Sequence, residues 1–347
     1  MVFCDWLNGE SIGRLGPAMR TDQLGTDILR EVSRSFYLTL RLIPSEFRGP
    51  LSLGYLLARL SDTIADAGSV ELQRRKGLLA EFRVVMSAPA KHGDACRFAK
   101  ALPAELEGAG LPRGEWDLVL RAEDCFEWLH GMDRKVSRHI RKVVDIITTG
   151  QTWDLERFEG DGVVRLETDA ELVRYAYQVA GCVGEFWTEI GFTCGEGFAR
   201  EDRETMRVWG ANYGRGLQLV NILRDIPEDL ERGRCYLPGE GPAEAASLVP
   251  ELARWQARAR DYLADGFRYA DALRGARTRM STGLPALLGV RTLDQLEGAS
   301  WADLVARVKV SRGAVKRALA GSYARSVWWL PGSWKRDYLG ARSNVNP

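Results

Sequence analysis

The sequence has few histidines, no paired cysteines and no long apolar run, and each absence excludes a class of site. The three histidines, His92, His130 and His139, show no metal-ligand spacing, so no histidine chemistry is expected. The six cysteines are scattered without a CxxC pair, which is typical of thiols in a reducing cytoplasm. No stretch reaches the roughly 20 apolar residues that span a bilayer, so no transmembrane helix is expected.

Charge of one sign is not in excess either. Lys and Arg number 48 against 47 Asp and Glu, whereas a nucleic-acid reader normally has a strong basic surplus, so no nucleic-acid partner is expected. The opening MVFCDWLNGE has neither a basic start nor an apolar run, which predicts a cytoplasmic protein. Near the other end, Trp328, Trp329 and Trp334 lie beside Lys335 and Arg336. This Trp-rich segment predicts either a peripheral membrane contact or simple packing against the protein body.

Helical periodicity runs through most of the chain. Apolar residues recur at spacings of three and four in segments such as SLGYLLARLSDTIADA and HIRKVVDIITTGQTWDL, and alternating strand patterns are nearly absent. Residues 172–192 and 207–224 are apolar on more than one face, which is typical of helices in a thick core or around a central hydrophobic cavity. We predict one all-α domain over 25–334, an N-terminal extension over 1–24 and a C-terminal tail over 335–347, both ends poorly ordered.

Two acidic motifs lie about 160 residues apart, in LLARLSDTIAD and LQLVNILRDIPED. Asp62 and Asp66 are four residues apart on a predicted helix, so both carboxylates project from one face. Asp225 and Asp229 repeat that spacing. Mg²⁺ prefers oxygen ligands and usually takes one or two carboxylates together with water and substrate phosphate. These pairs predict a Mg²⁺ site for an allylic diphosphate.

The surroundings of the two pairs separate this hypothesis from a solvated helix face. Each pair lies in an apolar segment beside an arginine, Arg59 or Arg224, and buried charges are costly unless paired or bound to a ligand. A buried structural salt-bridge network would also meet that requirement. Pro227 lies within the second pair and is expected to kink or end the helix there, which makes Glu228 an alternative ligand.

The chain resembles the squalene/phytoene synthases, head-to-head prenyltransferases of the all-α isoprenoid synthase fold. The resemblance spans roughly residues 28–320. It rests on five blocks in the family's order, SRSFYLTLRLIP, YLLARLSDTIAD, YAYQVAG, LQLVNILRDIPEDLERGRCYLP and VKVSRGAVK. The form DTIAD is more similar to squalene synthases than to the carotenoid branch. Ala65 departs from the glutamate that squalene synthases commonly carry, which puts the reaction's product in doubt.

The resemblance implies roles for particular positions. Tyr175 is implied to handle a proton or stabilise a cation, and Lys309 and Arg312 to lie near a nicotinamide cofactor. Asp62, Asp66, Asp225 and Asp229 are implied to hold Mg²⁺ against the diphosphates. The positions where the family contacts substrate are Ser33, Arg34, Ser35, Tyr55, Arg59, Gln218, Asn221 and Arg224, and Phe36 is a further candidate as an aromatic face for the cation.

These roles predict that two farnesyl diphosphates condense through presqualene diphosphate to squalene, with Mg²⁺ and NADPH. No strand–GxGxxG–helix fingerprint is present, so NADPH depends on the resemblance alone. The alternative within the family is a dehydrosqualene or phytoene synthase, or an enzyme that stops at presqualene diphosphate or hydroxysqualene, none of which uses NADPH. An alternative of another class is a helical scaffold without catalysis, against which four intact acids argue.

Overall fold

The computed structural model describes residues 24–87 and 91–306, with side chains outside the description at 34–39, 41 and 245–247. A π-helical turn, Leu24–Ile28, leads into α1 (Leu29–Leu42) and α2 (Ser45–Asp66). The helices α3 (Leu72–Met86), α4 (His92–Glu105), α5 (Arg113–Leu120) and α6 (Ala122–Gly131) follow. The long α7 (Arg134–Arg157) comes next.

The second half begins with β1 (Val164–Arg165) and α8 (Asp169–Ala176), and a π-helical turn, Tyr177–Gly181, joins α8 to α9 (Cys182–Cys194). The longest helix, α10 (Arg203–Glu231), is followed by β2 (Arg234–Cys235), α11 (Ala245–Ala272), α12 (Ala276–Leu296) and the short α13 (Trp301–Val305). β1 and β2 pair in parallel. The predicted all-α class is confirmed in the described residues, and no helix among them is both long and apolar enough to cross a membrane.

Side-chain oxygens cap three of the helices that carry site residues. Asp133 accepts hydrogen bonds from the backbone at the start of α7, Asp202 does so for α10, and Thr168 and Glu171 form a reciprocal capping box at the start of α8. Each cap satisfies backbone N–H groups that would otherwise lack a partner in the first turn. The sequence therefore fixes where these three helices begin.

The apolar side chains form two buried clusters. One is built mainly from α1–α7 and α9, the other mainly from α8 and α10–α12. A cavity of about 500 Å³ is lined by residues of both clusters, from α2, α7, α8, the second π-helical turn and α10. The cavity therefore lies where the two clusters meet.

Pro227 was expected to kink or end the helix, and the helix does not end there. α10 continues through Pro227 to Glu231, so Asp225 and Asp229 lie in one helix. Pro227 has no N–H to donate to the carbonyl of Leu223, which costs helix stability. Leu219, Leu223 and Ile226 are buried, and the packing of this apolar face outweighs that loss.

Candidate active site

The first acid pair lies on the cavity side of α2. Leu57, Leu60 and Ile64 are fully buried, which fixes the rotation of the helix. The opposite face carries residues spaced by three or four that line the cavity, and these are Tyr55, Arg59, Asp62 and Asp66. Asp66 is the last residue of the helix and is exposed. The sequence prediction that both carboxylates share one face agrees with this arrangement.

Arg59 is bound from two sides. Its Nη1 donates to Oδ2 of Asp62 at 2.5 Å, and its Nη2 donates to Glu115 of α5, which also accepts from Thr63 at 3.3 Å. Burial and the neighbouring charge of Asp66 raise the pKa of Asp62 to about 6, although Arg59 opposes this shift. The pair therefore carries more negative charge than its surroundings neutralise. Sequence reasoning missed Glu115, which lies far from both motifs in the chain.

The second acid pair lies on α10. Gln218 and Asn221 line the cavity, and Asp225 and Asp229 continue their helical face one and two turns farther on. Arg224 binds Asp225 through two hydrogen bonds, from Nε at 2.8 Å and from Nη2 at 2.5 Å. Burial, followed by the charge of Asp225, raises the pKa of Asp229 to about 7. The second pair, like the first, has an arginine on its first aspartate and an excess of negative charge.

A charged pair absent from the sequence prediction connects the two motifs. Nη1 of Arg234 lies 2.9 Å from Oδ2 of Asp154 on α7, and both residues line the cavity. The pKa of Asp154 is raised by burial and also by the charge of Asp66 from the first motif. The pKa of Asp229, in the second motif, is lowered by Arg234 and raised by Asp154. Charges of both motifs therefore interact with this pair. The two acid pairs therefore share one electrostatic environment.

The turn after α10 places Arg234. Gly233 adopts φ of 78°, a conformation that favours glycine, and its N–H bonds the carbonyl of Leu230. The chain then enters β2, in which Arg234 pairs with Val164 of β1. Only this long-range pairing brings Arg234 beside Asp154. In the sequence, the three- and four-residue spacing of Ile147, Gln151 and Asp154 was the available signal for a third cavity-lining helix.

Tyr175 of α8 lines the cavity and is buried. Its ring stacks on Tyr236, with centroids 4.8 Å apart and planes inclined by 14°. Burial raises the pKa of Tyr175 well above its usual value, so the phenol is neutral at physiological pH. Tyr177, the first residue of the π-helical turn after α8, directs its hydroxyl to Glu185 and is not among the residues that line the cavity.

A second, apolar cavity of about 190 Å³ adjoins the first. The two share Val179, Ala180 and Val183 as a common wall. Its other walls come from α9, α10, α11 and α12. The site therefore changes from charged at the acid pairs to apolar farther in, which is the profile of a site for a polar head with a hydrocarbon tail.

Comparison with known proteins identifies the family. Residues 29–314, more than half of the chain, match the squalene/phytoene synthase family. The chain belongs to this family. It is similar to the phytoene synthase of Thermus thermophilus, with 33% identity over 61% of this chain and 57% of that one. It is also similar to the squalene synthase of Yarrowia lipolytica, with 25% identity over 77% of this chain and 60% of that one.

The fold of the squalene/phytoene synthase family is also shared with solved structures. A structure of TcSQS with the ligand BPH1237 superposes with a TM-score of 0.73 at 21% sequence identity. The match covers 95% of this chain and 94% of that one. The predicted isoprenoid synthase fold is therefore confirmed, since the likeness extends over nearly the whole length of both chains.

The structure brings some of the substrate-contact candidates together and not others. Tyr55, Arg59, Gln218 and Asn221 line the cavity, and Arg224 lies beside the second acid pair. Ser33 does not reach the cavity, because it is buried in α1 and its hydroxyl donates to the carbonyl of Leu29. The remaining candidates lie outside the described side chains or residues, and these are Arg34, Ser35, Phe36, Lys309, Arg312 and Trp328, Trp329 and Trp334 of the Trp-rich segment.

The acids fit Mg²⁺ as pairs. Among residues 24–87 and 91–306, no three His, Cys, Asp or Glu side chains converge as a preformed metal site. Mg²⁺ does not need such a cage, since it commonly binds one or two carboxylates and completes its shell with water and substrate phosphate. The raised pKa values of Asp62 and Asp229 also mark negative charge that a cation would neutralise. Glu228, held by Arg232 at 3.1 Å, stays an alternative ligand, since Asp62 and Asp225 are paired with arginines in the same way.

Proposed function

We propose that this protein is a prenyltransferase that condenses two prenyl diphosphates head to head in a Mg²⁺-dependent reaction. The observation that carries the proposal is a cavity, apolar farther in, that is lined by Asp62 and Asp66 of α2, while Asp225 and Asp229 continue the α10 face that lines it. Membership of the squalene/phytoene synthase family supports the same reaction class. A scaffold without catalysis would have no need for two aspartate pairs in which one carboxylate disfavours the ionised form of the other.

The acids that would hold Mg²⁺ are Asp62, Asp66, Asp225 and Asp229, with Glu228 as an alternative. When bound, Mg²⁺ supplies positive charge to the diphosphate leaving group. Arg59 and Arg224, which bind Asp62 and Asp225 in the free protein, would turn to the diphosphate as the aspartates take up the metal. Glu115 would retain one side of the Arg59 guanidinium and so limit its movement.

The protein's own contribution beyond the charges is to orient the substrate and exclude water. Gln218 and Asn221 lie between the acids of α10 and the apolar wall, where they can orient a diphosphate. Val179, Ala180 and Val183 shield the allylic cation from water, which would otherwise quench it. The face and oxygen of Tyr175 stabilise that cation. Coupling of the cation to the second molecule's double bond, followed by loss of a proton as the ring closes, then gives a cyclopropyl diphosphate.

The reaction has two candidate endings. The DTIAD motif favours squalene, formed by hydride transfer from NADPH bound near Lys309 and Arg312. The relationship to the Thermus thermophilus phytoene synthase favours a dehydrosqualene or phytoene product, formed by proton loss without NADPH. Farnesyl and geranylgeranyl diphosphate, each incubated with protein and Mg²⁺ in the presence and absence of NADPH, separate the endings. A hydrocarbon formed without NADPH would remove the squalene assignment.

Matched variants test the site itself. Asp62→Asn and Asp225→Asn keep the side-chain shape and remove one metal-binding charge each, so turnover should fall by about 10²-fold or more. Asp145→Asn on α7 is the control, because Asp145 is exposed and its carboxylate binds only Arg83 among the contacts the structure describes. Full activity in either cavity variant, with helicity unchanged in all three, would overturn the proposed function.

A further inference from the structure

A hydrogen-bonded chain runs behind the cavity wall from Tyr175 to Asp154. The Tyr236 hydroxyl donates to Oδ1 of Asp154 at 2.7 Å, and the Tyr175 hydroxyl donates to the Tyr236 oxygen at 3.3 Å. Tyr175 and Asp154 line the cavity, whereas Tyr236 lies behind them and is buried. The second contact is long for an O–H···O bond, and the parallel stacking of the rings keeps the two oxygens adjacent.

Asp154, at the end of this hydrogen-bonded chain, determines which way each tyrosine hydroxyl donates. Burial raises the pKa of Asp154, whereas Arg234 at 2.9 Å and the Tyr236 hydroxyl favour its carboxylate form, which only accepts hydrogen bonds. Tyr236 must therefore donate to Asp154, which leaves its oxygen free to accept from Tyr175. The Tyr236 oxygen belongs to a buried residue that is not among those lining the cavity, so the Tyr175 proton points away from the cavity and an oxygen lone pair remains on the cavity side.

We infer that Tyr236 and Asp154 are positioning residues that make Tyr175 present an oxygen lone pair, and not an O–H group, to a carbocation in the cavity. The inference rests on the proposed function. An O–H group turned inward would place the positive end of its dipole against the cation, whereas a lone pair lowers the cation's energy by charge–dipole attraction. Because the phenol stays neutral, this stabilisation does not create a permanent anion that would react with the cation.

A packing role is the alternative for Tyr236. Its ring packs edge to face on Phe158, with ring centroids 4.9 Å apart, and stacks on Tyr175. Removal of the ring would therefore disturb the cavity wall. The substitution must therefore keep the ring. Tyr236→Phe removes only the hydroxyl, and Asp154→Asn keeps the shape of the acceptor while removing the charge that directs the chain.

A double-mutant cycle with Tyr175→Phe tests whether Tyr236 acts through Tyr175. Tyr236→Phe should lower kcat roughly 10- to 100-fold with KM changed by less than about threefold, since the interaction is made with the cation and not with the substrate. In the Tyr175→Phe background, Tyr236→Phe should change kcat by less than about twofold. Independent, multiplying effects in the double variant would overturn the inference.

Tyr177→Phe is the matched control for loss of a tyrosine hydroxyl. It removes a hydroxyl two residues from Tyr175 that binds Glu185 at 3.2 Å outside the cavity lining. Its kcat should stay within about twofold of the parent, because no interaction with the cation is lost. A loss as large as that of Tyr236→Phe would show that any hydroxyl in this region matters and would overturn the inference.

A binding measurement separates this inference from the proposed function. The probe is a prenyl trialkylammonium, compared with the uncharged compound in which carbon replaces nitrogen, both with Mg²⁺ and pyrophosphate. The parent's preference for the ammonium should fall by about tenfold in Tyr236→Phe and Asp154→Asn and be retained in Tyr177→Phe. An unchanged preference overturns the inference even if the protein is an active synthase. If the parent formed no condensed product, the proposed function would be wrong. The probe comparison would still show whether Tyr175 favours a cation.

Discussion

Asp225 and Asp229 lie one helical turn apart on α10, and the folded protein disfavours the charge of Asp229. Its pKa is about 7 in the folded state against an ordinary value of 3.8, so between these pH values the folded protein binds more protons than the unfolded chain. Stability therefore falls as the pH rises from about 4 to about 7. Asp62, with a pKa of about 6, adds to this loss over a narrower range. The acids that suit the site for a cation thus destabilise the metal-free fold.

Asp229→Asn should accordingly stabilise the metal-free protein. In the presence of a chelator, the variant should melt above the parent at pH 8, and the difference should shrink towards zero below about pH 3.8, where Asp229 becomes protonated in both states. Asp202→Asn is the control on the same helix. Hydrogen bonds from Thr205 lower the pKa of Asp202, so this variant should melt below the parent at pH 8. A pH-independent gain for Asp229→Asn would contradict the prediction.

At the scale of the element, α9 and α10 pack with their backbones in contact. A Cβ atom placed on Gly184 would lie 1.8 Å from the carbonyl oxygen of Gly210, and one on Gly210 would lie 2.6 Å from that of Gly184. One turn on, a Cβ on Gly214 would lie 2.1 Å from the carbonyl oxygen of Ala180. This close approach positions the helix that carries the second acid pair.

Gly210→Ala should force the two helices apart. The expected loss is about 1–3 kcal/mol in the free energy of unfolding, measured by urea denaturation, with reduced turnover. Gly93→Ala on α4 is the control, because nothing lies within 4 Å of the added Cβ. It should gain roughly 0.5–1 kcal/mol, since alanine is the better helix former. Equal effects of both substitutions would show that the close approach is unimportant.

Pro227 gives a second test at this scale. Pro227→Ala restores an N–H that can bond the carbonyl of Leu223, and should stabilise the protein by about 1–3 kcal/mol. Pro44→Ala is a control of opposite sign. Pro44 precedes α2, where no helical N–H is needed, so its loss only increases the freedom of the unfolded chain and should cost about 0.4–1 kcal/mol. A destabilised Pro227→Ala would mean that proline shapes the second acid pair.

For the whole molecule, Mg²⁺ and diphosphate should bind as one unit, because the acid pairs need the metal and the arginines need the phosphate. Mg²⁺ with inorganic pyrophosphate should therefore raise the melting temperature far more than either alone. At 100 times the dissociation constant the gain is about 2.7 kcal/mol. Asp62→Asn should reduce the joint effect, while Asp145→Asn should preserve it. If pyrophosphate gave the same rise in melting temperature in the presence of a chelator, the metal would take no part in its binding.

Local patterns determined the elements and one half of the site. Helical spacing predicted the helices, and the four-residue spacing of Asp62 with Asp66 placed both on one face, since these relations involve only neighbouring residues. The recognisable motifs likewise predicted the family. The low helix propensity of proline predicted a kink or a helix end at Pro227. Propensity takes no account of tertiary packing, and burial of the apolar face of α10 stabilises the helix beyond the proline.

Only the tertiary structure decided which side chains meet. Asp154 lies on α7, Arg234 in β2 and Tyr236 directly after β2, and their contacts depend on the parallel pairing of two short strands. Glu115 reaches Arg59 across 56 positions of sequence. Ser33 lies in a matching motif, yet its hydroxyl bonds its own helix. The physical reason is that a local pattern sets the direction of a side chain on its helix, whereas packing of whole helices sets what that side chain faces.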